Sequence, residues 1–237
     1  MIQKRMNMIR IYYILLLVVL YFSFNGKSVF YLFFMNTILA YLPVELSVWM
    51  KEIRGKLFFV PMTIVWLLFF PNNFYLFTDL FHLSLLSPYD PATMLISTQI
   101  ENWYKLLLII LSVFPTTILG CESLLIVSRL IVERTGIGVY PGLVGSILLF
   151  LNSIGIYFGR FLRLNSLDVF TNSKETFQVF ATVFNQIDGQ SFNLILLIFF
   201  FSLLLVYMYQ SIIRFSFVVG KENDNEYLSS RRQSSHQ

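Results

Sequence analysis

Long apolar runs recur along this chain, and most are close to the length of helix that crosses a bilayer. About twenty residues of α-helix cross roughly 30 Å of hydrocarbon. Hydrophobic residues make up 57% of the 237 residues and charged residues only 13%, whereas soluble domains carry about 25% charged residues. This composition leaves too little polar surface to cover a water-soluble globule. The sequence therefore predicts an all-α, polytopic transmembrane helix bundle.

Six spans are expected, and they form a single transmembrane domain over residues 1–220. The predicted spans cover residues 9–24, 29–50, 57–77, 103–127, 139–158 and 192–213. The first resembles a signal peptide, but no small-residue cleavage site follows it, so we expect it to remain as a span. Loops are expected at 84–102 and 129–138. Residues 221–237 are expected to be a polar, disordered tail.

The third apolar run contains the least regular stretch of the chain. Residues 57–70 cover only about 21 Å as a helix, which is too short to cross the bilayer. Either the helix continues through Pro71 with a kink, or the segment from Pro71 to Leu83 re-enters the membrane. A kinked helix needs a donor for the carbonyl that proline leaves free, and Asn72 and Asn73 are candidates for this role.

Basic residues predict the orientation of the bundle. With a cytoplasmic N-terminus, twelve of the 17 Lys and Arg residues fall on the cytoplasmic side, and every cytoplasmic segment has at least two. This distribution agrees with the positive-inside rule. We therefore expect both termini in the cytoplasm and the protein in the plasma (cytoplasmic) membrane.

Several classes of function find no support in the sequence. The basic residues flank apolar runs and form no basic stripe, so no nucleic-acid partner is expected. The single cysteine, Cys121, lies in an apolar segment and is best explained as a small buried hydrophobe. Asp79 and His82 could be two metal ligands, but such a pair arises often by chance, so no metal and no cofactor is expected.

Two polar clusters interrupt the apolar sequence, and both are predicted at the outer side of the membrane. Asp79 and His82 lie on one helical face, and so do Arg160 and Arg163. The helix carrying the arginines also has a G-x-x-x-G pattern, which permits close approach of a neighbouring helix. Helical rise places four asparagines at one level in the outer leaflet, as a polar pocket beneath these charges. They are Asn36, Asn72, Asn73 and Asn152.

Three interpretations of these clusters remain open. In the first, an outward site binds or processes an anionic lipid or envelope precursor. Asp79 and His82 are then the candidate catalytic residues, and the candidate headgroup ligands are Arg160, Arg163, Asn165 and Asp168. In the second, the protein is a structural or partner-binding subunit, whose clusters are salt bridges that hold helices together. In the third, the protein is a small-solute transporter. The absence of ionisable residues from the middle of the predicted spans counts against this interpretation. The expected partners are the bilayer, an anionic headgroup or another membrane protein.

Two further carboxylates lie within predicted spans. Glu45 and Glu122 are both expected near the cytoplasmic edge. Glu45 is expected to reach toward Lys51 or Arg54, because long side chains extend to the interface. The functional alternative is that Glu45 and Glu122 belong to a proton pathway. The absence of ionisable residues from the middle of the predicted spans counts against this alternative too.

The two polar clusters also resemble the signature motifs of an uncharacterised bacterial membrane family, the domain of unknown function numbered thirteen-sixty-one. The resemblance covers about residues 29–213. The motif residues are Pro71, Asn72, Tyr75, Thr78, Asp79, Leu80, His82, Leu83, Gly155, Ile156, Tyr157, Phe158, Gly159, Arg160, Phe161, Leu162, Arg163, Asn165, Ser166 and Asp168. The chain departs from the pattern at Asn73-Phe74, where the family has Ala-Pro, at Leu164 and Leu167, where it has Trp, and at Lys105, where it has an acid. The resemblance implies a multi-pass membrane protein and supplies no activity.

Overall fold

The computed structural model describes most of the chain, and every regular element in the described part is a helix. The described residues are 2–24, 30–53, 55–86, 88–90, 93–161, 171, 174, 178–179, 182 and 188–234. The α-helices are α1 (Ile2–Ser23), α2 (Tyr31–Glu52), α3 (Lys56–Phe69), α4 (Pro71–Thr78), α5 (Ile100–Thr135), α6 (Pro141–Phe161) and α7 (Gly189–Ser234). A 3-10 helix, Asp79–Leu86, follows α4.

Six helical segments of the described chain are long and apolar enough to cross a membrane. They are Gln3–Ser23, Tyr31–Glu52, Lys56–Leu86, Ile100–Thr135, Pro141–Phe161 and Gly189–Val219. The predicted all-α fold with about six spans is confirmed. The orientation of the termini stays a prediction.

The third span, Lys56–Leu86, joins α3, α4 and the 3-10 helix, so the chain continues past Pro71. Proline fits here because it occupies the first position of α4, where its fixed φ suits a helix. The Asn72 side-chain amide donates to the Phe69 carbonyl at 2.9 Å. The carbonyl that Pro71 leaves free in a helix is that of Leu67, so the expected role of Asn72 stays a prediction. Asn73 instead donates to the Ala40 carbonyl of α2.

Three boundaries differ from the prediction. The expected turn at 129–138 is wrong, because α5 continues to Thr135, and Gly136 then ends it with φ 70°, which glycine adopts without strain. The expected loop from residue 84 begins later, since the 3-10 helix reaches Leu86. The tail expected to be disordered is helical as far as Ser234, as a continuation of α7.

The first turn of α7 has a side-chain cap. The Asp188 carboxylate accepts a hydrogen bond from the Ser191 amide at 2.8 Å, which satisfies one of the amides that a helix leaves free at its start. Two hydrogen bonds from Ser191 hold the pKa of Asp188 below its usual value. The bond from the Ser191 side chain has the larger effect, and the bond from its amide has the smaller one. The Tyr157 hydroxyl also donates to Ser191, at 2.7 Å, and so joins α6 to this turn.

The third span, α2, α5 and α6 pack closely around a buried interior. Ser123 of α5 accepts from the Trp66 indole at 2.9 Å and donates to the Pro43 carbonyl of α2 at 3.0 Å, so one hydroxyl joins three spans. Gly155 of α6 lies against Pro71, where an added Cβ would be 2.5 Å from the proline Cγ. The predicted close approach at the G-x-x-x-G pattern therefore occurs at Gly155.

Candidate functional site

The residue at the centre of the candidate site is Asp79, where α4 passes into the 3-10 helix. This position lies at one end of the bundle, which we call the Asp79 end. The side chain is directed inward, and Asp79 is only 1% exposed. A buried carboxylate of this kind is costly unless its charge is paired and its oxygens accept hydrogen bonds.

Arg160, in the last turn of α6, supplies the opposite charge. Its Nη1 donates to Asp79 Oδ1 at 2.7 Å, and its Nη2 donates to the Thr78 carbonyl at 3.2 Å. Nη1 also lies 3.3 Å from the Tyr75 hydroxyl, and the guanidinium is 5.3 Å from the centre of the Tyr75 ring. The guanidinium is therefore held by a charge, a carbonyl, a hydroxyl and an aromatic face.

Asn36 of α2 donates to the second carboxylate oxygen, Asp79 Oδ2, at 2.7 Å. Each oxygen of Asp79 thus has a donor, and the two donors come from different helices. The cluster joins α2, the third span and α6 at one point. The sequence prediction placed Asn36 below Asp79, whereas its side chain reaches the carboxylate itself.

His82 lies one turn after Asp79 and packs beside it. Its Nδ1 is 3.0 Å from the Asp79 backbone oxygen and 3.7 Å from the Oδ1 atom. The imidazole ring contacts Phe33 of α2 edge to face, at 5.7 Å between ring centres. Nδ1 at this spacing fits a proton donated to the backbone oxygen, which would direct Nε2 away from it. Within the described ranges, no three His, Cys, Asp or Glu side chains gather as metal ligands would.

The other three predicted pocket asparagines have separate positions. Asn72 bonds within its own span, and Asn73 lies against Gly120 of α5. Asn152 of α6 is fully buried, and neither its Oδ1 nor its Nδ2 has a hydrogen-bond partner; the Oδ1 of Asn73 also lacks one. That these side chains line one pocket stays a prediction. Arg163, Asn165 and Asp168 lie outside the described residues.

A second ion pair, which the sequence did not predict, joins α1 to α2. Arg10 donates from Nε to Glu45 Oε1 and from Nη2 to Oε2, both at 2.8 Å. The Tyr41 hydroxyl also donates to Glu45. Glu45 thus pairs with Arg10, and no ion pair with the expected Lys51 is found among the described residues; Arg54, the other expected partner, lies outside them. A signal was available, since Arg10 lies at the start of the first predicted span, apart from Lys4 and Arg5.

Glu122 likewise has a partner that its sequence position does not reveal. The Tyr209 hydroxyl of α7 donates to Glu122 Oε2 at 2.7 Å. Because α5 extends to Thr135, Glu122 lies about 20 Å from the end of its helix. It is thus farther from that end than the predicted span boundary implied.

The fold defines a multi-pass helical membrane protein, in which Asp79, Glu45 and Glu122 each have a partner on another helix. Residues 35–208, most of the chain, match the family described as Protein of unknown function (DUF1361). The chain belongs to that family, as the resemblance of its two polar motifs predicted. No curated protein and no solved structure matches the chain.

Proposed function

We propose that this protein is a structural or partner-binding membrane subunit. Its Asp79 cluster, formed by Asp79, Arg160 and Asn36, holds three spans in one arrangement. The observation that carries the proposal is the pairing of both Asp79 oxygens, one by Arg160 of α6 and the other by Asn36 of α2. A carboxylate with these partners is neutralised and hydrogen-bonded. That is the condition under which a buried charge persists in a protein interior.

The geometry favours this role over an anion clamp at Arg160. The guanidinium already faces a carboxylate at 2.7 Å and a backbone carbonyl at 3.2 Å. A phosphate held by both terminal nitrogens of Arg160 would compete with Asp79 for Nη1, and a displaced carboxylate would be buried without its cation. The cost of leaving a buried charge unpaired is about 3–5 kcal/mol, which would oppose binding.

A neutral replacement of the pair tests the structural role. The double variant Asp79→Asn with Arg160→Gln removes both charges and keeps side chains that can form hydrogen bonds. We expect it to insert, fold and restore the phenotype of a deletion strain. A double variant that is folded and present at normal level but inactive would contradict the structural role.

A second candidate function is an outward site for an anionic lipid or envelope precursor. It is favoured by exposure, since the side chains of His82 and Arg160 remain 17% and 22% exposed above the buried Asp79. His82 and Asp79 would be the acid–base pair, and Arg160 and Arg163 would hold the anion. In this case His82→Gln should abolish complementation without lowering the melting temperature. The small-solute transporter stays a prediction.

A further inference from the structure

A second polar feature lies at the opposite end of the bundle, which we call the Arg129 end. It is a cavity of about 1270 Å³ between α5, α6 and α7, with Arg5 of α1 at its edge. The C-terminal part of α5 and the first turns of α6 form its walls. None of the residues of the Asp79 cluster lines it. Its chemistry can therefore be considered separately from that cluster.

The packing of the helices explains why there is space here. Helix α7 packs extensively along α6 and touches α5 in few places. On the α6 wall the lining residues Gly142, Gly145 and Ser146 are small. A Cβ added at Gly145 would come no closer than 3.9 Å to Ser128 of α5, so this wall leaves room.

The polar part of the cavity carries more positive than negative charge. Five charged side chains line it, namely Arg5, Glu122, Arg129, Glu133 and Arg214. Glu122 already accepts a hydrogen bond from Tyr209. Among the side chains that the structure describes, the three arginines come from three different helices, and none has a hydrogen bond or ion pair. Guanidinium groups free of carboxylates are suited to gripping a phosphate with two hydrogen bonds.

Apart from Glu122 and its hydrogen-bond partner Tyr209, the deeper part of the cavity is apolar. Glu133 and Glu122 are eleven residues apart on α5, so the cavity extends about 16 Å along this helix. Its exposed apolar lining includes Phe200 and Leu204 of α7, which are 60% and 57% exposed. A soluble anion would fill the polar part and leave this lining without a partner. A molecule with a charged head and a hydrocarbon chain would contact both parts.

We propose that this cavity binds an anionic glycerophospholipid from the leaflet at the Arg129 end. Arg129 and Arg214 hold the phosphate, with Arg5 beside them, and an acyl chain lies along Phe200 and Leu204. The start of α6 at Pro141 brings the positive end of a helix dipole to the same place. This site is independent of the proposed role of the Asp79 cluster.

Binding to defined lipids tests the proposal on the purified full chain in detergent. Titration with phosphatidylglycerol, followed by thermal shift and by native mass spectrometry, should show saturable binding of one lipid. Phosphatidylcholine should bind at least tenfold more weakly, because its headgroup has no net charge. Equal affinity for the two lipids would overturn the proposal.

A matched pair of charge variants locates the site. Arg129→Gln with Arg214→Gln should weaken phosphatidylglycerol binding at least tenfold. The control, Lys51→Gln with Lys56→Gln, removes two charges from the same end but outside the cavity, and should change binding less than twofold. An equal loss in the control would indicate diffuse attraction to the basic surface and overturn the site.

A competition experiment distinguishes the lipid from a soluble phosphate. Glycerol phosphate, which carries the same charged group without acyl chains, should not displace the lipid at a hundredfold excess. In addition, Leu204→Trp, which places a larger side chain in the apolar part, should weaken lipid binding several-fold. Displacement by glycerol phosphate at concentrations similar to the lipid would mean that the cavity takes a soluble anion, against the proposal.

Discussion

Asp79 and Arg160, which are 81 residues apart in the chain, meet at 2.7 Å between Oδ1 and Nη1. This contact joins the end of α4 to the end of α6, and Asn36 of α2 completes it from the other side. Asp79 and Arg160, which belong to two polar clusters that are separate in the sequence, therefore meet in the fold.

Removing one charge of the Asp79–Arg160 pair should destabilise the folded protein more than removing both charges. Arg160→Met leaves the Asp79 carboxylate buried without a cation, so we expect a loss of about 2–3 kcal/mol, below the full cost of a buried pair because Arg160 is 22% exposed. Asp79→Asn combined with Arg160→Met should cost less than Arg160→Met alone. The melting of the wild type, Asp79→Asn, Arg160→Met and the double variant in detergent gives the coupling energy between the two residues. Simple additivity would argue against a direct pair.

An exposed ion pair serves as the control for that cycle. Lys105 and Glu101 lie 2.5 Å apart within one helix, and the Glu101 side chain is 73% exposed. Glu101→Gln should therefore leave the melting temperature nearly unchanged, as exposed pairs contribute little. A loss equal to that of Arg160→Met would show that charge removal in general, and not burial, governs stability.

The Arg10–Glu45 pair should also contribute to stability, by fixing α1 against α2. Arg10→Gln breaks two hydrogen bonds to the carboxylate, which is 17% exposed, so we expect a lower melting temperature and reduced contact of α1 with α2. Lys4→Gln, a nearby exposed position, is the control. Protease cleavage between the first two helices can follow the detachment of α1. Equal behaviour of the two variants would contradict this role.

The hydroxyl of Ser123 should contribute more to the free energy of unfolding than the hydroxyl of Ser153, another buried serine. Ser123→Ala leaves the Trp66 indole without its acceptor, and a buried donor left unpaired costs about 1–3 kcal/mol. Ser153 is equally buried but bonds only the Leu149 carbonyl of its own helix, so Ser153→Ala should be nearly neutral. Chemical denaturation of both variants checks the difference, and tryptophan fluorescence should change in Ser123→Ala alone.

The contact of Gly155 with Pro71 predicts intolerance of larger side chains. Gly155→Leu would force α6 away from the third span, and such overpacking typically costs about 1–3 kcal/mol. At Gly138 an added Cβ meets nothing within 4 Å, so Gly138→Leu should be tolerated. Thermal melting and yield of the folded protein compare the two. Equal tolerance would mean that the close approach does not limit packing.

The orientation predicted from the basic residues can be tested with single cysteines. Cys121 is 2% exposed and can be replaced by Ser to give a cysteine-free background. Leu95 and Ile137 are 69% and 47% exposed in loops at opposite ends of the bundle. In spheroplasts, a membrane-impermeant maleimide should label Leu95→Cys directly and Ile137→Cys only after permeabilisation. The reverse pattern would overturn the predicted cytoplasmic termini.

The spans were predictable because their cause is local. Apolar length alone determines which segments can cross a bilayer. Helical rise brought Asp79 and Arg160 to the same level, since both lie near the end of a span. The continuation of α5 was missed because charged residues such as Arg129 and Glu133 suggested a turn. The intervening Leu130 and Ile131 are compatible with a helix, and Gly136 was the true terminator.

Partner choice between distant segments could not be read from the sequence. Glu45 has Lys51 and Arg54 close by in the chain, yet it pairs with Arg10 because α1 packs against α2. Arg129, Arg214 and Arg5 are likewise far apart in sequence and reach one cavity through the arrangement of their helices. Such contacts depend on how helices rotate and cross, which periodicity alone does not determine.

The pair between Arg10 and Glu45 has a practical consequence for truncation of this protein. The region that matches the family begins at residue 35 and so includes Glu45 but excludes all of α1. A shortened chain starting after α1 would carry an unpaired carboxylate at the face where α1 had packed. An unrelated leader helix substituted for α1 would insert the chain without restoring that cation. The smallest independently stable version of this protein should therefore include its first helix, although the family match alone would suggest otherwise.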